Sequence, residues 1–256
     1  PKIIHQTWKT NEIPYKMEFC VNSWKILNPD YEYMFWTDKD IHEFIYSKYP
    51  KYNILFKEIK LGIQKADIFR ILVLHYYGGI YADIDFECLI PINYWNINNS
   101  KINVAYEPNE HHNENILCNA LICCPKNNND LLDIISHGIK VIKENPNEVM
   151  KSFGPIAWTK TLNNINLINT NFIYPLPDIT INNSLENKYK KKLIDRNFGN
   201  SWAIHYWEHS NWPRKNILDK YYNFLSPKNN VKSINICGLY RNNSSYLKEY
   251  FIPKLE

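Results

Sequence analysis

The chain has 256 residues, 45% of them apolar and 22% charged, which suits a globular protein long enough for a sizeable core. Its net charge of +4 comes from scattered lysines. Lys190-Lys191-Lys192 reads as a solvated loop or helix end, so the charge forms no stripe for nucleic acid. No apolar run approaches the roughly 20 residues that span a bilayer.

The six cysteines show no C-x-x-C spacing and read as buried thiols rather than a zinc site, although they could also form disulfides. The chain opens directly on Lys2-Ile3-Ile4-His5 without a signal peptide. The expected location is therefore cytoplasmic, or the Golgi lumen if an anchor precedes this sequence. Aromatic residues are abundant, with 19 Tyr, 11 Phe and 8 Trp. Most are expected in the core, and Tyr and Trp also suit stacking on bases and sugars.

Lys2 to Trp8 reads as a first buried strand. Tyr15 to Leu27 has helical spacing, and Asn28-Pro29-Asp30 is a turn. Tyr31 to Trp36 is a second strand, after which Thr37 or Asp38 caps a helix running toward Tyr49. Ile63 to Tyr77 is the strongest helix, thick with apolar residues, and Gly78-Gly79 stops it in the manner of a left-handed cap. Ile80 to Ile84, Ile102 to Tyr106 and Leu117 to Cys123 read as strands, and Asp130 to Ile142 as an amphipathic helix. Phe172 to Tyr174 and Trp202 to Trp207 look extended, while Asn182 to Asn200 reads as a polar, mobile excursion. The tail suggests a helix around Ile217 to Phe224, a strand Ser233 to Ile236 and a helix around Tyr246. Alternating strands and helices imply a mainly parallel α/β sheet, which binds ligands at the carboxyl ends of its strands.

Asp83 and Asp85 lie two apart at the end of a predicted strand, where i and i+2 side chains share a side. Two carboxylates held together need a cation or a proton. A divalent metal that also binds phosphate oxygens supplies that compensation, whereas a bare D-x-D is otherwise a solvated loop. Asp67 and Arg70, three apart on the preceding helix, share a face. Near that helix's N-terminus they could bind a polar ligand, Arg to phosphate and Asp to hydroxyls, or simply pair with each other. Glu107-Pro108 reads as a loop and His111-His112 as a solvated turn without a third metal ligand nearby.

The block Lys65-Ala66-Asp67-Ile68-Phe69-Arg70 followed by Tyr76-Tyr77-Gly78-Gly79-Ile80-Tyr81-Ala82-Asp83-Ile84-Asp85 resembles the signature of glycosyltransferase family 32. That family includes the yeast initiating α-1,6-mannosyltransferase and is similar to the catalytic domains of the clostridial glucosylating toxins. Pro1 to Trp8, Asn28-Pro29-Asp30-Tyr31 and Phe35 to Asp38 match its early blocks. Asn119-Ala120, Gly154-Pro155 and Ala203-Ile204-His205-Tyr206-Trp207, with Ser210 and Trp212, are similar to later ones. Two departures stand out: Tyr206 replaces the second of two adjacent histidines, and Asn211 separates Ser210 from Trp212.

The resemblance implies a GT-A-like, Rossmann-type, mainly parallel sheet flanked by helices, forming a single catalytic domain over residues 1–256. Residues 1–125 would be the nucleotide-sugar and metal half, and 126–256 the acceptor-side and closing half. The implied activity is retaining transfer of a hexose from a GDP- or UDP-sugar to a glycan, lipid or protein hydroxyl, with Mn²⁺ or Mg²⁺ as cofactor. GDP-mannose, UDP-galactose and UDP-N-acetylglucosamine all serve as donors within the family. Trp8 would stack near the base and Tyr81 would lie beside ribose or phosphate. Asp67, Arg70 and Asn119 would form the catalytic donor-sugar group. Asp83 and Asp85 would bind the metal and diphosphate, His205 would be a further metal ligand or a core residue, and Ser210 and Trp212 would close over the diphosphate. Other readings of the same residues are a nucleotide-sugar hydrolase and an inactive, carbohydrate-binding protein on this fold. The oligomeric state is open.

Overall fold

The computed structural model describes residues 1–208 and 216–225. The strands, in chain order, are β1 (Ile3–Thr7), β2 (Glu32–Trp36), β3 (Gly79–Ala82), β4 (Phe86–Cys88), β5 (Ile102–Tyr106), β6 (Leu117–Cys124), β7 (Ile165–Ile168) and β8 (Ala203–His205). The chain divides into two compact units. One is built from Pro1–Ile13, Asp30–Ile84 and Asn96–Asn169, the other from Pro14–Pro29, Asp85–Trp95 and the chain from Thr170.

The first unit holds a six-stranded sheet of order β2-β1-β3-β6-β5-β7. β1 runs parallel to β2 and β3, and β5 parallel to β7, while β6 alone is reversed. The expected mainly parallel α/β sheet is therefore present. Its core is organised by the helix Gly62–Tyr77, where Ile68, Phe69, Ile71, Leu72, Val73 and Leu74 are all buried. A helix apolar on every face must be enclosed on every face. Trp36, Phe44 and Phe69 pack edge to face around it with ring centroids 5.3–5.8 Å apart. Among the described residues, more than half of the aromatics are buried.

The helix stop differs in detail from a left-handed cap. Gly78 has φ 67° and ψ −160°, and Gly79 has φ 93°. A Cβ on Gly79 would lie 2.5 Å from the Ile3 carbonyl oxygen, so only glycine lets β3 pair this closely with β1. His5 locks the same corner. Its Nε2 donates to the Gly78 carbonyl (3.0 Å) and its Nδ1 accepts from Trp36 Nε1 (3.3 Å). Burial pushes the imidazole down to about 4, against the pull of the Gly78 carbonyl, so His5 is a neutral structural residue.

In the second unit the helix Glu18–Leu27 packs on β4. Trp24 Nε1 donates to the Phe86 carbonyl (2.7 Å), and Ser23 Oγ accepts from the Cys88 amide (2.8 Å). β4 pairs antiparallel with β8, Phe86 opposite His205.

Two expectations fail here. Thr170–Ile173 is a helical turn rather than an extended segment. The polar stretch after Asn182 contains a regular helix, Asn183–Ile194, whose first turn is capped by Asn182 accepting from the Leu185 amide (2.9 Å). Glu186 then ties that helix to Ile217–Leu225 through Tyr221 (2.6 Å) and Lys220 (2.9 Å). The strand and helix expected after Ser233 lie outside the described residues. The five described cysteines are free and buried, and Cys237 also lies outside. Among the described residues no helix is long and apolar enough to cross a membrane.

Candidate active site

Within the first unit, Arg70 sits at the centre of a compact polar cluster. It and Asp67 occupy the second and third turns of Gly62–Tyr77. That position corrects the expectation that they flank the helix N-terminus: the unpaired amides of a helix end belong to its first turn, so no helix-end anion site involves them. Both are buried, at 5% and 3% exposure. Arg70 Nη2 lies 3.4 Å from Asp67 Oδ1 and 3.2 Å from Asp83 Oδ1. Its Nη1 donates to the Asn119 carbonyl (2.6 Å), and the guanidinium lies 4.7 Å from the Tyr81 ring centroid. Arg70 Nε has no hydrogen-bond partner among the described residues.

Asn119, on β6, donates from Nδ2 to Asp67 Oδ1 (3.0 Å), and Tyr81 donates to Asp83 Oδ1 (2.9 Å). Burial pushes the Asp67 carboxyl up to about 6, Asp83 adding to the effect while Arg70 and Asn119 oppose it. Burial also works against the Arg70 charge, yet Asp83, Tyr81 and Asp67 outweigh it and the guanidinium is held above its usual range. Tyr81 is raised by burial, reinforced by Asp83 against the pull of Arg70. The cluster is therefore one permanent cation facing two acids, with the phenol kept protonated as a donor.

The strand expected to run to Ile84, with the two aspartates at its end, stops at Ala82. Asp83 follows it with its amide bonded to the Ala120 carbonyl (2.9 Å), and Ile84 and Asp85 form a turn. Gln6 Nε2 donates to the Asp83 carbonyl (3.1 Å), and Tyr33 donates to Gln6 Oε1 (2.8 Å). Nothing in the sequence singles out this brace, although Gln6 lies in the first block that carries the resemblance. Trp8, at the end of β1, is partly exposed. Its amide bonds the Trp36 carbonyl (3.1 Å), and the Lys9 ammonium lies 5.8 Å from its ring.

The second unit holds Asp85, at 4% exposure. Its Oδ1 is 3.1 Å from His205 Nε2, and its Oδ2 accepts from the Glu208 amide (2.8 Å). Burial raises this carboxyl, but His205 and the Glu208 amide overcome it and hold it below the usual carboxylate range. The His205 ring stacks on Phe86 at 4.5 Å. Behind it, Glu87 takes an ion pair from Arg196 and a hydrogen bond from Tyr206 (2.6 Å). The residue that departs from the family's second histidine thus has a structural task. Glu208 is a further residue that sequence reasoning missed. Burial pushes it up to about 7, with Asp85 and Asp219 adding and the Leu218 amide opposing. Trp207 has φ 53°, an uncommon conformation for a bulky side chain. Ser210 and Trp212 lie outside the described residues.

Residues 14–102 match the family described as "Glycosyltransferase sugar-binding region containing DXD motif". Over those residues the chain is similar to the DXD-containing sugar-binding region of glycosyltransferases. Asp83-Ile84-Asp85 is the D-x-D of that region, and the resemblance read from the sequence is borne out. Inositol phosphoceramide mannosyltransferase 3 of Schizosaccharomyces pombe is 49% identical over 88 residues, 34% of this chain and 25% of that protein. The initiation-specific alpha-1,6-mannosyltransferase of Candida albicans is 36% identical over 109 residues, 40% of this chain and 28% of that protein. The matched segments thus span about a quarter of the length of these curated relatives. The solved PaToxG glycosyltransferase superposes with a TM-score of 0.52 at 23% identity, covering 63% of this chain and 68% of that one, so the GT-A-like fold is shared.

A divalent cation is implied by the DXD region, and the donor set suits one. Asp85 and His205, both in the second unit, each offer a ligand atom. Carboxylate oxygens with one imidazole fit Mn²⁺ or Mg²⁺ better than a soft metal.

Proposed function

We propose that the protein is a metal-assisted, retaining hexosyltransferase. It would move mannose from a nucleotide diphosphate sugar, GDP-mannose foremost, to a hydroxyl of a glycan or lipid. The observation that carries this reading is the pair of acids in the DXD turn, each fixed by its own partner: Asp83 by Arg70 and Tyr81, Asp85 by His205 and the Glu208 amide. The names of the relatives support mannose as the sugar and a lipid or glycan as the acceptor.

Asp83, Asp85 and His205 would hold the cation. When bound, it supplies positive charge to a diphosphate that becomes more negative as the glycosidic bond breaks. Arg70 holds the Asp83 carboxylate in place, and its unused Nε is a further donor for a phosphate or sugar oxygen. Asp67 and Asn119, hydrogen-bonded to each other, would orient the sugar hydroxyls. Tyr81, protonated, braces Asp83. Front-face departure, in which the leaving phosphate accepts the acceptor's proton, asks for no protein base.

The test is transfer from GDP-mannose, UDP-glucose, UDP-galactose and UDP-N-acetylglucosamine to lipid and glycan acceptors, with Mn²⁺ or with excess EDTA. Asp83→Asn with Asp85→Asn is expected to lower turnover by at least ~10³-fold, the scale of losing electrostatic stabilisation of the leaving group. Full activity in that variant, or in EDTA, would overturn the metal reading. Free mannose without acceptor product would make the protein a hydrolase.

A further inference from the structure

We infer that residues 48–65, all in the first unit, form a docking surface for an anionic lipid bilayer beside the Asp67–Arg70–Asp83 cluster. The segment takes in the end of the helix Asp38–Lys48, the single turn Pro50–Tyr52, the short helix Asn53–Glu58 and the start of Gly62–Tyr77. Lysines are spread along the whole chain, yet this stretch holds Lys48, Lys51, Lys57, Lys60 and Lys65 against one acid, Glu58. Five lysines less one glutamate give +4, the net charge of the entire chain. None of the five is paired with a carboxylate among the described residues. Lys48, Lys51, Lys57 and Lys60 are exposed.

The same stretch carries the two most exposed large aliphatic side chains among the described residues, Ile54 at 73% and Ile63 at 55%. Ile54 and Lys57 stand at i and i+3 on the outer face of their helix. The frame beneath them is anchored. Phe56 is buried, and Lys65 Nζ lies 5.3 Å from its ring centroid, so the start of Gly62–Tyr77 folds back beside the short helix. Gln64 Nε2 donates to the carbonyls of Pro146 (3.1 Å) and Glu148 (3.4 Å). The Glu148 carboxylate is itself matched by Lys151 (3.6 Å), so it leaves the five lysines their charge. Apolar side chains held in water among unmatched ammonium groups suit the boundary of a bilayer. There the isoleucines enter the acyl region while the lysine stems lie along it and their heads reach lipid phosphates. A nucleic acid would answer the lysines and give the isoleucines nothing to bury.

The surface lies at the end of the unit that carries the cluster. Gly78-Gly79 turns the helix Gly62–Tyr77 back into β3, and the Arg70–Asp83 contact (3.2 Å) shows that the helix start lies toward the Asp83 end of that strand. Ile63, Asp67 and Arg70 stand at i, i+4 and i+7, one stripe of the helix. Ile63 is therefore about 6 Å along the axis beyond Asp67, at the end where Asp83 keeps 28% of its side chain exposed. Docking there brings a membrane-held hydroxyl to the cluster, a consequence that rests on the proposed transfer to a lipid, whereas the docking itself does not.

The full chain is sedimented with vesicles of phosphatidylcholine alone and of phosphatidylcholine with about one third phosphatidylserine. Binding is expected to the second only, and to be lost in ~1 M NaCl, where the Debye length falls to ~3 Å. Lys51→Gln, Lys57→Gln and Lys60→Gln together should weaken it by ~100-fold, about fivefold per lysine. Ile54→Gln with Ile63→Gln should weaken it by at least ~10-fold with circular dichroism unchanged, since both side chains already face water. The lysine variant should keep the parent rate of transfer to a soluble glycan and lose rate toward a lipid acceptor held in the vesicles. Vesicle binding that both variants lose, with no transfer to any lipid by the parent, would sustain the docking surface while sinking the lipid acceptor. A parent that ignores the anionic vesicles, or variants that bind them as the parent does, would overturn the inference. So would binding lost with the lysines and fully kept with the isoleucines changed, because a bare polyanion would then suffice.

Discussion

Arg70→Met is the sharpest test of the polar cluster. Methionine keeps much of the apolar stem and deletes the guanidinium. The change removes the ion pairs to Asp67 (3.4 Å) and Asp83 (3.2 Å) and the hydrogen bond to the Asn119 carbonyl (2.6 Å). Asp83 keeps 28% of its side chain exposed and can turn to water. Asp67 is buried and cannot. Leaving a buried charge without its partner costs about 3–5 kcal/mol, and that is the loss expected at pH 8.

The sign of the pH dependence follows from Asp67. Its folded carboxyl stands at about 6, above the ordinary ~3.9 of an unfolded chain. The native state therefore binds the proton more tightly, and the penalty for ionising it grows as pH rises through that window. Without Arg70 the carboxyl rises further. At pH 5 it is protonated and the lost guanidinium matters less, so the destabilisation should fall to about 1–2 kcal/mol, the scale of the remaining hydrogen bonds. Urea unfolding of parent and variant at pH 5 and pH 8, in EDTA, measures both numbers. Asp67→Asn added to Arg70→Met should recover most of the loss at pH 8. A destabilisation below about 1 kcal/mol, or one that does not change with pH, would refute the account of Arg70 as the charge that holds Asp67 and Asp83.

Two further outcomes test the scaffold. Gly79→Ala should destabilise by about 3 kcal/mol in chemical denaturation, because φ 93° and the 2.5 Å approach to the Ile3 carbonyl combine backbone strain with a backbone clash; a loss under 1 kcal/mol would count against the tight β1–β3 corner. Thr37→Ala removes the capping box with Asp40 and should lower stability by about 1 kcal/mol, with Thr37→Ser recovering most of it.

Local pattern makes much of the first unit legible in the amino-acid sequence alone. The helix Gly62–Tyr77 is apolar on all sides and bounded by glycines, so both its existence and its burial can be read from the chain. The DXD turn is readable only because a glycine pair stops that helix just before it and Asp67 and Arg70 lie one helix back. What cannot be read are partners distant in sequence. No local pattern near Asp85 announces that His205, 120 residues later, will meet it; the family resemblance alone put His205 with the metal pair, and nothing announces that Tyr33 will brace Gln6 and through it Asp83. Phe172 to Tyr174 looks extended because its residues favour strands, yet the Tyr174 amide closes onto the Thr170 carbonyl (2.6 Å) as a helical turn. The helix after Asn182 is hidden by its polarity. Leu193 is its one buried residue, so no apolar stripe marks it, and Asn182 as a cap is the usable signal. His111-His112 reads as a solvated turn, yet the His111 side chain is 7% exposed. Glu107 is in view as a loop acid, and a single turn brings it onto both rings.

The two acids of the DXD turn differ in a way that bears on what the metal is for. Each is matched by protein groups: Asp83 by the Arg70 guanidinium and the Tyr81 hydroxyl, Asp85 by the His205 imidazole and the Glu208 amide. Two unmatched carboxylates would make the fold depend on a cation, as structural metal sites do. Here the carboxylates are compensated before any cation arrives, and Asp85 is held below its usual range without one. Metal removal should therefore abolish transfer while leaving the melting temperature nearly unchanged, with the small shift set by ordinary ligand linkage. A scanning calorimetry series in EDTA and in rising Mn²⁺, run beside the transfer assay, separates the two. A melt that collapses in EDTA would show that Arg70 and His205 do not suffice, and that the cation holds the turn itself.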